Sequence, residues 1–279
     1  MSQGYISKFR VERELIKYLS GLYTEVDLYS IVPGEYNDGC SDPVKFKNGK
    51  EYMTSAAKLK RKFLSDHSDI DSIVFQGKYI RYADEEDNIH LNILTQYDIE
   101  VKIKERSIDT LIEQVNKIWK VISTVYQEYR GYPAPSLKFI NSSDLYEKYP
   151  DLDPEDRVSR YMENNTIGAL FIVGIGGILK DGKPHDERCR DYDDFSMNGD
   201  LYVYHKDSPL ELMSCGIRVN SESLINQYPE LTSQEELSEY HRSILSNKYP
   251  DTFGGGLGKE RTLMYILDIQ DIRDLFYRT

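Results

Sequence analysis

Strand-like segments that follow one another closely along the chain are the feature that most limits what this sequence can fold into. "SIVFQGKYIRY" (72–82) and "HLNILTQYDIEVKI" (90–103) are separated only by an acidic loop, and "DLYVYHK" (200–206) lies just before "ELMSCGIRVN" (211–220). A short connection suits an antiparallel hairpin, because a parallel pair needs a crossover of a dozen or more residues. The sequence therefore predicts an α+β fold in which helices flank an antiparallel β-sheet.

Residues 108–130 carry the clearest helical pattern. Their apolar residues recur at helical spacing, and Asp109 is the expected N-cap. Further helices are predicted at 7–22, in the second part of "EYMTSAAKLKRKFL" (51–64) after a short strand, at 220–228 and at 234–247, and a glycine turn is predicted to open a last helix in "TFGGGLGKERTLMYILDI". Because no repeat or low-complexity linker interrupts the chain, residues 1–279 are predicted to form a single domain.

The charge and cysteine content argue against several classes of protein. A net charge of −12 and a pI near 5.0 disfavour broad binding to nucleic acid or to an anionic membrane. Three separated cysteines, with no CxxC or HExxH spacing, suggest neither a disulfide framework nor a zinc site. The N-terminus lacks the apolar core of a signal peptide, and no apolar stretch is long enough to cross a bilayer, so a cytoplasmic location is expected.

The glycine-rich segment near the C-terminus does not fit a phosphate-binding loop, because the GxxxxGK[ST] pattern is broken by Phe253 and Glu260. Its glycines would still allow a close approach to a ligand, and Arg261 on the following helix would offer a cation to a phosphate. Taken alone, this segment is also consistent with an ordinary turn followed by an incidental arginine.

A second polar pattern suggests that Arg261 belongs to a ligand site. Gln96, Asp98 and Glu100 occupy alternate positions of a predicted strand, so period two places them on one face of the sheet. Arg81 ends the preceding strand. A polar face of this kind is typical of the floor of a ligand site rather than of a core strand.

These segments together resemble motifs 2 and 3 of class II aminoacyl-tRNA synthetases, in which two arginines hold the phosphates of ATP. Further matches, in one order, are similar to the asparagine synthetase A family of ammonia-dependent aspartate–ammonia ligases: "YPDLDPEDR", "GALFIVGIGGILKDGKPHDERCRDYDDF", "NGDLYVYH", "LELMSCGIRVN" and "TFGGGLGKERTLMYIL". The resemblance covers nearly the whole chain and is densest from residue 141 to 267. It implies a class II catalytic core that adenylates the β-carboxylate of aspartate and then lets ammonia displace AMP.

The resemblance also implies roles for individual residues. ATP would be bound by Arg81, Glu100, Asp200, Glu211, Gly256 and Arg261, with Mg²⁺ held by Asp200 and Glu211. Aspartate would be bound by Asp38, Ser55, Lys60, Gln96, Asp98, Ser214 and Arg218, with Asp98 facing the α-ammonium group. Arg81, Asp98, Arg261 and Asp193 are the expected catalytic residues, and Asp193 is the candidate that deprotonates ammonium. The family also implies a homodimer formed through residues 7–33.

Several alternatives follow from the same residues. Asp42 could fill the family position assigned to Asp38, and two of the acidic residues Asp191, Asp193 and Asp194 could belong to a solvated turn. Met213 replaces a serine that is usual in the family, and the absence of a hydrogen-bonding group beside the substrate would change selectivity. A ligase for another acid or amine, or a catalytically silent binding protein, is therefore the alternative interpretation.

Overall fold

The computed structural model describes residues 3–37, 42–82, 85–233 and 237–276, with side chains described from residue 7 onward and not at 232–233. The strands are β1 (Thr24–Glu25), β2 (Ile31–Pro33), β3 (Lys50–Tyr52), β4 (Ser72–Ile80), β5 (Ile93–Lys102), β6 (Leu137–Asn141), β7 (Ala169–Val173), β8 (Asp193–His205), β9 (Ser208–Arg218) and β10 (Thr252–Gly258). The α-helices are α1 (Gln3–Ser20), α2 (Ala57–Asp66), α3 (Ile108–Arg130), α4 (Ser142–Lys148), α5 (Pro154–Asn164), α6 (Ser221–Gln227), α7 (Glu239–Leu245) and α8 (Lys259–Leu267).

Eight of these strands form one sheet in the order β1-β4-β5-β10-β9-β8-β7-β6, and β2 pairs with β3 separately. Neighbours from β4 through to β7 are antiparallel, whereas the two outermost pairs, β1 with β4 and β6 with β7, are parallel. The sheet is thus mixed but mostly antiparallel, as the predicted hairpins require, and the parallel pairs at its edges were not predicted.

Helix α3 packs with α1 and α8 over the apolar side of this sheet. Its predicted stripe is buried, including Leu111, Ile118 and Ile122, all of which have no exposed surface. The N-cap is Ser107, whose hydroxyl accepts a hydrogen bond from the Thr110 amide, and not Asp109 as predicted. Asp109 lies inside the first turn, where its charge still favours the positive end of the helix.

The glycine-rich segment is the central strand β10 and not the predicted turn. None of Gly254, Gly255 and Gly256 has a positive φ, so conformational freedom is not what requires glycine here. A Cβ at Gly254 would collide with Glu100 and Arg218, and one at Gly256 would collide with Gln96. Glycine therefore lets the large polar side chains of the neighbouring strands cross over β10.

Strand β8 begins at Asp193, well before the predicted start at residue 200. Its pairing with β9 is interrupted between the register pairs Asp193–Arg218 and Asn198–Gly216, where extra residues of β8 form a bulge. No disulfide framework was expected from the sequence, yet Cys189, just before this strand, is disulfide-bonded, whereas Cys215 is a buried free thiol.

Among the described residues, no helix combines the length and the apolar character needed to cross a membrane.

Candidate active site

A cleft with two connected chambers lies against the sheet, where α2 contributes Lys60 to the smaller chamber and the first turn of α8 contributes Arg261 to the larger one. The larger chamber has a volume of about 380 Å³ and the smaller one about 80 Å³. The residues that line both chambers, and so mark the place where they meet, are Arg81, Gln96, Arg188, Tyr192, Ser214 and Gly256.

Strand alternation explains how polar side chains reach this cleft from the middle of a sheet. In β5, Tyr97 and Ile99 enter the helix-side core, so Gln96 and Asp98 face the cleft. In β9, Cys215 and Ile217 enter the same core, and Ser214 and Arg218 face the cleft.

The small chamber contains a buried ion pair between helix α2 and strand β5. Lys60 donates hydrogen bonds to Asp98 Oδ1 at 2.8 Å and to the Gly255 carbonyl at 2.9 Å. The second oxygen of Asp98 accepts a hydrogen bond from the hydroxyl of Tyr79. Both partners of the ion pair are almost fully buried, so the protein holds this carboxylate in one orientation.

Arg218 forms a second buried network in the small chamber. Its guanidinium contacts Glu100 Oε2 at 2.7 Å and Asp193 Oδ1 at 2.5 Å, and Thr252 donates to Glu100 at 2.7 Å. Burial raises the pKa of Asp193 in spite of the arginine beside it. Glu100 is fully buried behind Arg218 and is not among the residues that line either chamber, so the structure does not place it where ATP was expected to contact it.

The large chamber has a different arrangement of charge. Arg81 lies where the chambers meet, makes no ion pair with the described residues, and has a buried Nε without a hydrogen-bond partner. Arg261 donates to the Ile89 carbonyl at 3.1 Å and approaches the Glu211 carboxylate at 3.5 Å. Both arginines therefore point their charge at a space that a ligand can fill.

Arg188, which sequence reasoning missed, separates Asp200 from the cleft. Its Nη2 lies 2.6 Å from both oxygens of Asp200 and 2.8 Å from Asp186. Burial, together with the nearby charges of Glu211 and Asp186, raises the pKa of Asp200 to about 7 although Arg188 opposes the shift. Asp200 could accept a metal ion only after Arg188 releases it, whereas Glu211 lines the large chamber directly.

The acidic segment 191–194, which leads into β8, is neither a solvated turn nor a metal cluster. Asp191 pairs with Lys58 at 2.7 Å and with His241 at 3.0 Å, and Asp194 pairs with Arg106 at 2.8 Å. Within the described residues, no group of three or more histidine, cysteine or acidic side chains is arranged to hold a metal. Each aspartate instead fixes this segment to a different neighbouring element.

Most of the residues singled out in the sequence come together in the cleft. Those that line it are Ser55, Lys60, Arg81, Gln96, Asp98, Asp193, Glu211, Ser214, Arg218, Gly256 and Arg261. Asp200 and Glu100 lie behind arginines, Asp42 is exposed, and Asp38 is outside the described residues. Tyr79, Arg106, Arg188 and Tyr192 were missed. Tyr79 and Arg106 contact residues that are distant in sequence, and nothing in the sequence showed that Arg188 would pair with Asp200 or that Tyr192 would line the cleft.

Met213 does not face the cleft. It is 1% exposed and belongs to the helix-side core, where its methyl group lies against Gly255. The expectation that its thioether replaces a hydrogen-bonding group beside the substrate is therefore wrong. Period two could have shown this, because Ser214 and Arg218 share the opposite parity in β9.

Comparison with known proteins identifies a family. A profile of the aspartate-ammonia ligase family matches residues 32–276. The aspartate–ammonia ligase of Malacoplasma penetrans is 35% identical over 266 residues, which cover 85% of this chain and 78% of that protein. That of Clostridium perfringens (strain SM101) is 38% identical over 201 residues, which cover 67% of this chain and 59% of that protein.

Solved structures of class II synthetases share the fold. Asparaginyl-tRNA synthetase from Pyrococcus horikoshii, complexed with asparaginyl-adenylate, superposes with a TM-score of 0.72 at 14% identity over 99% of this chain and 68% of that chain. The Entamoeba histolytica enzyme, also complexed with asparaginyl-adenylate, gives 0.73 at 14% identity over 99% of this chain and 66% of that chain. The similarity in this range of identity is one of fold.

Proposed function

The chain belongs to the aspartate–ammonia ligase family, and we propose that its two-chamber cleft makes asparagine from aspartate and ammonia, using ATP. The observation that carries this proposal is the position of Arg81, an arginine without an ion-pair partner among the described residues, at the point where the two chambers meet. A carboxylate in one chamber and a phosphate in the other would both approach this cation.

The small chamber suits aspartate by its charges. Lys60, Arg188 and Arg218 supply cations for two carboxylates, and Asp98 supplies a carboxylate for the α-ammonium group. Gln96 and Ser214 add neutral hydrogen-bonding groups. A charged group that leaves water needs such partners, because burial without them costs several kcal/mol, on the order of 3–5 when one partner of a buried pair is removed.

The large chamber suits ATP. Arg261 would hold the far phosphates and Arg81 the α-phosphate, so that the β-carboxylate of aspartate can attack the α-phosphorus and release pyrophosphate. Reactions of this kind depend mainly on positioning and on neutralising the negative charge that develops at the phosphate. Gly256, on the wall shared by both chambers, leaves room for the reacting groups because it has no side chain.

The residues of the large chamber also fit Mg²⁺ in a limited way. Mg²⁺ prefers oxygen ligands and is usually held by one or two carboxylates together with substrate phosphates. Glu211 reaches the chamber directly, and Asp200 is the second candidate once Arg188 turns toward a phosphate. When bound with ATP, the ion would neutralise phosphate charge.

Ammonia would enter the reaction after the adenylate has formed. We propose that the Asp193 carboxylate takes a proton from ammonium, after which the nitrogen attacks the β-carbonyl carbon and AMP leaves. The raised pKa of Asp193 favours this proton transfer, since a carboxylate with an ordinary pKa is a weaker base.

Incubating the purified protein with Mg-ATP, aspartate and ammonium, followed by mass spectrometry, tests the proposal. AMP and asparagine should appear together, and neither should form without aspartate. Glutamine in place of ammonium should give no asparagine, because free ammonia is the expected nitrogen donor. AMP without asparagine would indicate another amine, and the absence of both products would contradict the proposal.

We also propose that the chain acts as one catalytic domain in a homodimer. Phe9, Leu22 and Tyr29 lie in the segment that the family resemblance assigns to dimerisation, and they are 44%, 47% and 72% exposed. Aromatic side chains are enriched at interfaces between subunits. Sedimentation equilibrium should give a molecular mass twice that of one chain. Replacing Leu22 and Tyr29 with glutamate should reduce the measured mass to that of a single chain.

A further inference from the structure

The bulge in β8 leaves backbone groups without the usual partners of a strand. Between the two register pairs that flank it, β8 advances from Asp193 to Asn198 while β9 advances only from Arg218 to Gly216. The additional residues cannot all pair with β9. Buried amide and carbonyl groups that lose their ladder bonds need other partners.

Gln227, the last residue of helix α6, binds one amide inside the bulge and two carbonyl groups at and before its start. Its Nε2 donates to the Arg190 carbonyl at 2.7 Å and to the Asp193 carbonyl at 2.8 Å, and its Oε1 accepts from the Phe195 amide at 3.2 Å. One side chain thus binds three backbone groups on both sides of Asp193. No motif in the sequence marked this residue.

These three hydrogen bonds, two donated and one accepted, require a carboxamide group. A carboxamide offers two N–H donors and a carbonyl acceptor in one planar group, whereas a carboxylate offers acceptors alone and a thioether almost nothing. Glutamate at this position would place negative oxygens against two carbonyl oxygens. The three bonds therefore require glutamine or a side chain of equal reach and the same groups.

The backbone that Gln227 holds carries two residues of the small chamber. Tyr192 and Asp193 both line that chamber, and Asp193 contacts Arg218 at 2.5 Å. The residues on either side, Asp191 and Asp194, are anchored by Lys58 and Arg106. Gln227 binds the main chain at Asp193, between those two anchors, and at Arg190 and Phe195, just outside them, while the Val219 amide donates to the Tyr192 carbonyl at 2.9 Å.

We propose that Gln227 is a positioning residue for the aspartate end of the site, acting through the backbone of Asp193 without touching substrate. The expected effect on kinetics rests on the proposed function. The expected effect on the backbone of residues 190–196 rests on geometry alone. Small displacements of reacting groups are costly, since a 1 Å misplacement lowers rates by about a hundredfold.

The structural part is tested by hydrogen exchange in the full chain. Gln227→Met removes all three bonds and Gln227→Glu removes both donors, while Asn226→Ala changes an exposed neighbour on the same helix. Amides of residues 190–196 should exchange at least tenfold faster in both Gln227 variants and at the wild-type rate in Asn226→Ala. Unchanged exchange in that segment would overturn the proposal, whatever reaction the protein catalyses.

The kinetic part separates positioning from a general loss of structure. In Gln227→Met, kcat/KM for aspartate should fall by about ten- to a hundredfold, while KM for ATP stays within twofold of wild type. A residue that serves stability alone would lower the melting temperature and leave kcat/KM for aspartate unchanged, which would also overturn the proposal. If the wild-type protein itself makes no asparagine, the proposed function fails, and the exchange experiment still decides the role of Gln227.

Discussion

The two chambers of the cleft differ in where their charges find partners. In the small chamber, Lys60 pairs with Asp98, and Arg218 pairs with Glu100 and Asp193, all within the protein. Arg81, which lines the large chamber and lies where it meets the small one, has no such partner among the described residues. The ion pairs of Lys60 and Arg218 thus form without a ligand, whereas the charge of Arg81 can be neutralised by a ligand. The same kind of substitution should therefore have different effects in the two chambers.

The largest effect is expected from Arg218→Met in the small chamber. The substitution leaves Glu100 and Asp193 buried without their cation, and breaking a buried pair in this way costs about 3–5 kcal/mol. We expect asparagine synthesis to be abolished and urea to unfold the variant at a much lower concentration. A variant as stable as wild type would show that the small chamber is not held together by these ion pairs.

Arg81→Met should separate activity from stability. The rate of asparagine formation should fall by about a hundredfold, as when one group that stabilises a transition state is removed. The free energy of unfolding should stay within about 0.5 kcal/mol of wild type, because no ion pair is broken. Lys78→Met, an exposed lysine on strand β4, which ends just before Arg81, is the control and should change neither quantity. A large loss of stability in Arg81→Met would remove the difference between the chambers.

Glu211→Gln should raise the Mg²⁺ concentration needed for half-maximal activity by about tenfold, with little change in stability. Its carboxylate is 35% exposed, and its ion pair with Arg261, at 3.5 Å, is long. Glu187→Gln, an exposed carboxylate lining the same chamber, is the matched control. An equal Mg²⁺ requirement in wild type and in Glu211→Gln would exclude Glu211 as a ligand.

Asp200 should give stability a dependence on pH. Its pKa is about 7 in the folded protein, above the value near 3.8 for an exposed aspartate, so the folded state binds the proton more tightly. This contribution is fully present below pH 4 and is lost as the pH rises to 7. Over that range the stability of Asp200→Asn relative to wild type should increase by about 4 kcal/mol, because each pH unit between the two pKa values contributes about 1.4 kcal/mol. A constant difference between their urea-unfolding free energies would contradict the raised pKa.

The smallest effect is expected from Met213→Leu. The side chain lies in the helix-side core, so KM for aspartate and for ATP should both stay within twofold of wild type. A swap of similar volume should cost less than about 1.5 kcal/mol of stability. A clear change in KM for aspartate would mean that Met213 reaches the substrate after all.

The sequence by itself determined which side chains could share a face. Alternation along β5 groups Gln96 with Asp98, and alternation along β9 groups Ser214 with Arg218, because successive residues of a strand point to opposite faces whatever surrounds them. The order of several motifs was specific enough to indicate the family that the profile match then showed. These features are local or follow from the order of segments, so a linear sequence contains them.

Only the tertiary structure decided which charges meet. Arg218 donates to Glu100, Arg106 donates to Asp194, and Gln227 donates to the backbone carbonyl of Asp193. Each of these contacts joins residues far apart in the chain. Strand register and helix packing set those distances, and many acidic residues in the sequence would have been equally plausible partners. The predicted glycine turn is instead the central strand for the same reason. A side chain at Gly254 would collide with Arg218 and Glu100, and only the assembled sheet brings these residues together.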